Sequence, residues 1–368
     1  MDHCAALPLR VLQDRMKACL TLIFVADALS MPVHWYYNHK DIVKQFGYIT
    51  DYQAAPAVHP SSIMSLHSTS GGGRGSQGGS VVGDVILKNK KHLWGQRNVH
   101  YHHGMSAGSN TLNSLCARVC MRSIIENDGV YSEDKFLEKY IEFMTGENKH
   151  DDTYAESYHR DFFANYAKGI QPRKCAGTSH DTPSVGAFVT LPVIILSHYN
   201  QGREVVQQKV LSHLYLTHPD AKLARYAAVY ADIIVDLLDG QDVSEAIVRR
   251  GKTLGIDVVA QTKKHPKDSD DYGVVSQNGL ACYITSSFPN VLYFANKYQS
   301  NIEKAIAQNT NVGGENCHRG SALGALLGAG YGMDAIPRRW CTGLREWDTI
   351  EQEIDAFVQQ ISKRSPSL

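Results

Sequence analysis

Two stretches of this chain concentrate side chains able to bind ligands, attack electrophiles or move protons. In G-G-E-N-C-H-R-G, residues 313 to 320, Glu315, Asn316, Cys317 and His318 open onto a small-residue helix through Ala322, Leu323, Ala325 and Leu326. In V-H-Y-H-H-G-M-S-A-G-S-N-T-L, residues 99 to 112, His100, His102 and His103 precede Ser106, Ser109, Asn110 and Thr111, which lead into a second helix. Each cluster sits at an expected helix N-terminus, where free N–H groups and partial positive charge gather anions and polar ligands. Two such ends facing each other would frame a pocket for a negatively charged or hydroxyl-rich small molecule. Gly313 and Gly314 would let backbone approach that ligand closely. The three histidines lack a second spaced pair such as H-E-x-x-H, so substrate or surface contact is expected of them rather than metal ligation. A third stretch, S-G-G-G-R-G-S-Q-G-G-S, lies in an Ala-, Pro-, Ser- and Gly-rich loop at 53–83. Arg74 there would help to cradle a phosphate on backbone N–H groups, although the segment has no P-loop signature.

The elements that must hold these clusters read as helices. Residues 9 to 30 form the first, with Val11, Met16, Leu20, Ile23 and Leu29 on its inward face, and residues 112 to 125 form another, with Leu115, Val119 and Ile124 inward. Helical period recurs at 136–144, 154–166, 220–238, 243–253, 277–286, 289–297 and 300–307. Residues 185 to 196 read as one buried helix, because Pro192 argues against a central strand. The last helix begins near Asp348, a candidate cap, and turns Ile350, Ile354, Phe357 and Ile361 inward. No β-α alternation appears, so the expectation is one all-α domain, a compact multi-helix bundle over residues 1–368.

Bulk properties narrow the partners. The chain has 368 residues, 43% hydrophobic and 20% charged, and its 37 Lys+Arg balance its 37 Asp+Glu. That balance argues against nucleic acid, and no run of about 18 apolar residues argues for a membrane span. The eight cysteines lack C-x-x-C spacing and read as thiols of a reducing, cytoplasmic setting; Cys116 and Cys120 share one helix face and suit the core. A small-molecule substrate is the expected partner, and nothing in the chain sets an oligomeric state.

The order and distance of the clusters resemble the ADP-ribosylglycohydrolase family, which includes dinitrogenase reductase-activating glycohydrolases and J1 crystallins. The family's opening G-D-A-L-G-x-P-x-E is matched by Ala26, Asp27, Ala28, Leu29, Ser30, Met31, Pro32, Val33 and His34. Its Asp-Asp-Thr triplet is matched by Ser109, Asn110 and Thr111, and its closing G-G-D-T-D-T by Gly313 to His318, followed by G-A-L-L-G-A. The resemblance covers roughly residues 10 to 335. It implies an all-α fold and hydrolysis of an N-glycosidic bond of ADP-ribose, with two magnesium ions between the first and last signatures. This chain departs at those ligands: Ser109, Asn110 and Cys317 stand for three aspartates, Glu315 for a fourth, and His34 for a glutamate. Two divalent cations need several anionic oxygens. A dimagnesium site is therefore not expected, no cofactor is required, and a single weak magnesium on Glu315, Asn110 and Ser109 is the most this set would hold.

The expected function is a hydrolase-like enzyme acting on a small polar, ribosylated or phosphorylated molecule. Glu315 would be general base or cation stabiliser, and His103 or His318 the acid, with His34 beside them. Cys317 is either a nucleophile, its thiol pKa lowered at a helix N-terminus, or a small buried filler. His100, His102, Ser106, Ser109, Asn110, Thr111, Asn316, Asp27 and Arg74 would contact substrate. The alternatives are a catalytically silent ADP-ribose or nucleotide binder and a crystallin-like structural protein.

Overall fold

The computed structural model describes residues 7–62, 64, 85–299 and 301–364. Its elements are α1 (Leu9–Ser30), α2 (His39–Phe46), α3 (Leu112–Ile125), α4 (Glu133–Thr145), α5 (Ser157–Tyr166), α6 (Leu191–His198), α7 (Arg203–Tyr215), α8 (Ala221–Leu238), α9 (Val243–Lys252), α10 (Val258–Lys264), α11 (Asp271–Asn278), α12 (Ile284–Tyr298), α13 (Ile302–Asn311), α14 (Asn316–Tyr331), α15 (Arg338–Gly343) and α16 (Trp347–Lys363). Among the described residues the only β pairing is two isolated bridges, Val58 with Val99 and Ser184 with Tyr283. The all-α expectation holds.

The centre of the molecule is the pair α1 and α14. Gly320, Gly324 and Gly328 lie four apart and so share one face of α14. A Cβ at Gly324 would stand 2.5 Å from the carbonyl oxygen of Leu22, and one at Gly328 would stand 2.4 Å from that of Ala18. The two helix backbones therefore touch without intervening side chains, which only glycine permits. Enclosed in this way, α1 is buried on all sides from Ala18 to Ser30, and the one-sided face expected of it does not describe it. Val11, expected inward, is 39% exposed near the helix start. By length and composition Leu9–Val33 would suffice to cross a membrane, but it is the core helix of this fold.

Several boundaries differ from expectation for local reasons. Residues 185 to 196 are not one helix: Val185–Val189 is a 3₁₀ turn, and α6 starts at Leu191 with Pro192 in its first turn, where a missing N–H costs nothing. The expected helix 277–286 is broken at Gly279, whose φ of 109° ends α11 before α12 begins. Asp348 does not cap α16; Glu346 occupies that position with φ 63°. The helix expected over 154–166 starts at Ser157, which leaves Asp152 to Glu156 as a connecting segment.

Candidate functional site

The site is assembled by a backbone clasp between the turn after α1 and the turn before α14. Trp35 N–H donates to the Gly314 carbonyl (2.8 Å), Gly314 N–H donates to Tyr36 (2.7 Å), and Glu315 N–H donates to Leu280 (2.9 Å). Gly313 and Gly314 have φ of 72° and 66°, and a Cβ on either would collide with the carbonyl oxygen of Tyr36 or Leu280. The tandem glycines thus admit a neighbouring backbone, not the ligand expected there. Trp35 itself has φ 61°, a strained setting for a bulky residue, and its ring stacks on His34 at 3.8 Å.

The clasp delivers a row of buried groups. Asp152 Oδ1 meets His102 Nδ1 at 2.7 Å, His102 Nε2 meets His34 Nδ1 at 2.7 Å, and His34 Nε2 meets Glu315 Oε1 at 2.9 Å. His318 Nδ1 lies 2.9 Å from the same Glu315 oxygen and 3.6 Å from Glu156 Oε1. The first of these is a charge contact and not an aligned hydrogen bond, since among the described residues His318 Nδ1 has no aligned partner; Glu315 Oε2 has none either. Glu315 also caps α14, accepting from His318 N–H at 3.4 Å.

Protonation follows from these neighbours. Burial works against the Glu315 carboxylate, but His318 and His34 outweigh it and hold Glu315 well below the usual range. Burial also opposes charge on His318, yet the Glu315 and Glu156 carboxylates raise it to about 10. Burial lowers His34 to about 3 despite Glu315, so its contact with Glu315 joins a neutral donor to a carboxylate. Burial and the nearby Glu315 charge push Glu156 up, partly offset by His318 and by Asn113, which donates to Glu156 Oε2 at 2.8 Å. Asp152 is held down at about 2, where His102 and the N–H groups of Leu112 and Tyr154 overcome its burial.

Proton counting adds a constraint. The row from Asp152 to Glu315 has three links, each needing one proton. Two neutral imidazoles and two carboxylates bring two. With His34 donating to Glu315 and accepting from His102, the contact between His102 and Asp152 is left one proton short.

The other expected residues separate into groups. Asp27 is fully buried, and its oxygens accept from Thr111 N–H (2.7 Å), Thr111 Oγ1 (2.6 Å) and Asn110 Nδ2 (3.0 Å). Asp27, Asn110 and Thr111 therefore join α1 to the start of α3. Ser106 and Ser109 contact each other at 3.2 Å. Ser109 and Asn110 line a separate hollow of about 400 Å³ with Arg118 and Lys149, which Glu315 does not line. His100 donates to the Pro32 carbonyl and accepts from His102 N–H, bracing the chain beside His34. Asn316 holds the carbonyls of Thr310 and Val33. His103, the expected acid, is half-buried, and among the described residues its ring makes no hydrogen bond. Cys317 is not a poised nucleophile: its thiol packs with Met31 and Met105 and points to the Asp27 carbonyl at 3.6 Å, and burial raises its pKa well above normal. Arg74 lies outside the described residues.

Three participants escaped the sequence reading. Asp152 and Glu156 lie in the segment assigned to or just before a helix, and His59, whose ring donates to the His34 carbonyl at 3.1 Å, carries no motif. Glu156 opens onto a small cleft of about 50 Å³ walled by Trp35, Tyr37, Tyr101, Tyr154 and Tyr158, with Asp181 and Ser184 at its side. Gly186 makes room for that carboxylate, since a Cβ there would meet Glu156 Oε2 at 2.4 Å.

A two-magnesium centre does not fit these residues. Ser109, Asn110 and Cys317 are neutral and turned to other partners, leaving Glu315 as the only carboxylate at those positions. The single weak ion on Glu315, Asn110 and Ser109 is likewise disfavoured, because the latter two line a different hollow.

Comparison with known proteins agrees with the architecture. Crystallin J1A of Tripedalia cystophora is 20% identical over 358 residues, spanning 95% of this chain and 97% of that protein. A solved structure titled as an ADP-ribosylglycohydrolase-related protein complex matches with a TM-score of 0.64 at 15% identity, covering 96% of this chain and 99% of the other. At that identity the likeness is one of fold. The family model described as ADP-ribosylglycohydrolase matches residues 9–367, nearly the whole length, and the chain belongs to the ADP-ribosylglycohydrolase family.

Proposed function

We propose that this chain is a glycohydrolase-like hydrolase that cleaves a glycosidic bond in a small polar, ribosylated or phosphorylated substrate without a dimagnesium centre. One observation carries the reading: Glu156 and Glu315 flank His318 Nδ1, and their surroundings displace the two carboxyls in opposite directions. Such a divergence assigns acid and base in carboxylate pairs. Glu156, whose carboxyl is pushed up beside the aromatic cleft, is assigned as the proton donor to the leaving group. Glu315 stays ionised and stabilises positive charge developing on the sugar, or accepts a proton from the attacking water. His318, as imidazolium, holds the two apart in charge; His34, His102 and Asp152 fix its partner Glu315 from behind.

A second reading is a catalytically silent binder or crystallin-like protein. It is favoured by the cleft of about 50 Å³, little more than the share of one or two waters. Turnover of a panel of ribosides and ADP-ribosylated small molecules separates the two. The enzyme reading expects Glu156→Gln and Glu315→Gln each to lower kcat/KM by about 10²- to 10⁴-fold with the fold retained by circular dichroism. Binding without turnover by the unaltered chain on every member would favour the silent reading.

A further inference from the structure

We propose that His34 Nε2, Glu315 and His318 Nδ1 form a binding site for one transition-metal dication of the zinc class. The inference rests on the proposed reading of the same site and changes two roles in it: with an ion bound, His318 is a neutral ligand instead of an imidazolium, and Glu315 holds the ion that carries the positive charge; its test does not depend on turnover.

Three observations support it. First, the donor atoms of these three residues lie within 4.8 Å of one another, all buried. His34 Nε2 and His318 Nδ1 each stand 2.9 Å from Glu315 Oε1. Tetrahedral zinc with bonds of about 2.0–2.1 Å separates its ligands by about 3.3 Å, so a small outward shift opens the position. Second, among the described residues Glu315 Oε2 and His318 Nδ1 are buried with no aligned hydrogen-bond partner, a costly condition that a cation relieves.

Third, the proton count of the row closes when a cation takes His34 Nε2. His34 then donates from Nδ1 to His102 Nε2, and His102 donates from Nδ1 to Asp152 Oδ1, at 2.7 Å each. Two neutral imidazoles satisfy both links with no added proton. A ligand histidine whose far nitrogen is held by an ordered partner backed by a carboxylate is the usual outer arrangement of a zinc site. Two imidazoles and one carboxylate also make a catalytic set with a fourth position left for water, and Glu156 stands 3.6 Å from His318 Nδ1 at the edge of this set. Imidazole donors favour zinc, cobalt or copper over magnesium.

The test uses the full chain without an affinity tag, stripped by chelator and then given Zn²⁺, Co²⁺ or Mg²⁺ alone. The expected result is one Co²⁺ per chain with the strong visible absorption of a four-coordinate site, bleached by Zn²⁺ and unaffected by Mg²⁺. Glu315→Gln and His318→Ala should lower Co²⁺ affinity at least about a hundredfold, and Asp152→Asn about 10- to 100-fold. Replacing the exposed His92 should change nothing. X-ray absorption on the zinc-loaded, unaltered chain should give nitrogen and oxygen neighbours only, which needs no variant to fold. No stoichiometric uptake by the unaltered chain, or a sulfur neighbour pointing to Cys317, would overturn the proposal. Uptake without turnover leaves it standing while the hydrolase reading falls.

Discussion

At the scale of single residues, chemistry in this protein is decided by what each polar atom touches. Cys317 and His318 are adjacent at one helix start, yet the thiol is pushed up by burial and the imidazole is raised to about 10 by two carboxylates. Cys317→Ala should therefore keep activity and ligand binding, at a cost of about 1 kcal/mol or less in stability, and the native thiol should resist alkylating reagents that label it after denaturation. Loss of turnover in that variant would restore the nucleophile. Glu315 and His318 were legible in the sequence because a polar knot before a small-residue helix is a recognisable pattern. Glu156 and Asp152 were not, because helical period ran through Tyr154 and hid the short connection that presents them. For Asp27 the motif position suggested a ligand contact; what the sequence did not show is that both its oxygens accept hydrogen bonds from the start of α3.

At the scale of elements, the joint between α1 and α14 makes the strongest demand on the sequence. On an exposed helix, Gly→Ala is favourable by about 1 kcal/mol. Here Gly324→Ala drives a methyl to 2.5 Å from the Leu22 carbonyl oxygen, and relief requires two backbones to separate. The expected effect is a loss of about 2 kcal/mol or more, measured as a lower midpoint in chemical denaturation. An unchanged midpoint would mean that the helices do not meet there. The small-residue helix after His318 was readable from the sequence. Which helix would face the glycines was not, because α1 and α14 are separated by most of the chain and only packing pairs them. The breaks at Pro192 and Gly279 were visible residues whose effect depended on neighbours that local period does not report.

At the scale of the molecule, burying many histidines in neutral form makes stability depend on acidity. His59 and His150 are lowered to about 4, and His213 and His218 to about 3, by burial in each case. Their unfolded-chain value is about 6.5, so below it the unfolded state binds more protons than the folded one. The stability they leave intact above about pH 6.5 is lost progressively as the pH falls towards their folded values. Between pH 6.5 and 5 the four together cost about 6 to 7 kcal/mol, comparable to the whole stability of a typical domain. Cooperative unfolding is expected as the pH falls below about 6, followed by far-ultraviolet circular dichroism; a flat signal to pH 4 would contradict it. The contact of α1 with α14 reaches further still, into synthesis. Leu9–Ser30 leaves the ribosome about 300 residues before Asn316–Tyr331 does. At about 5–20 residues per second that is roughly 15 to 60 s during which an apolar helix waits for its mate, a window in which a chaperone, or the membrane-insertion machinery, competes for it.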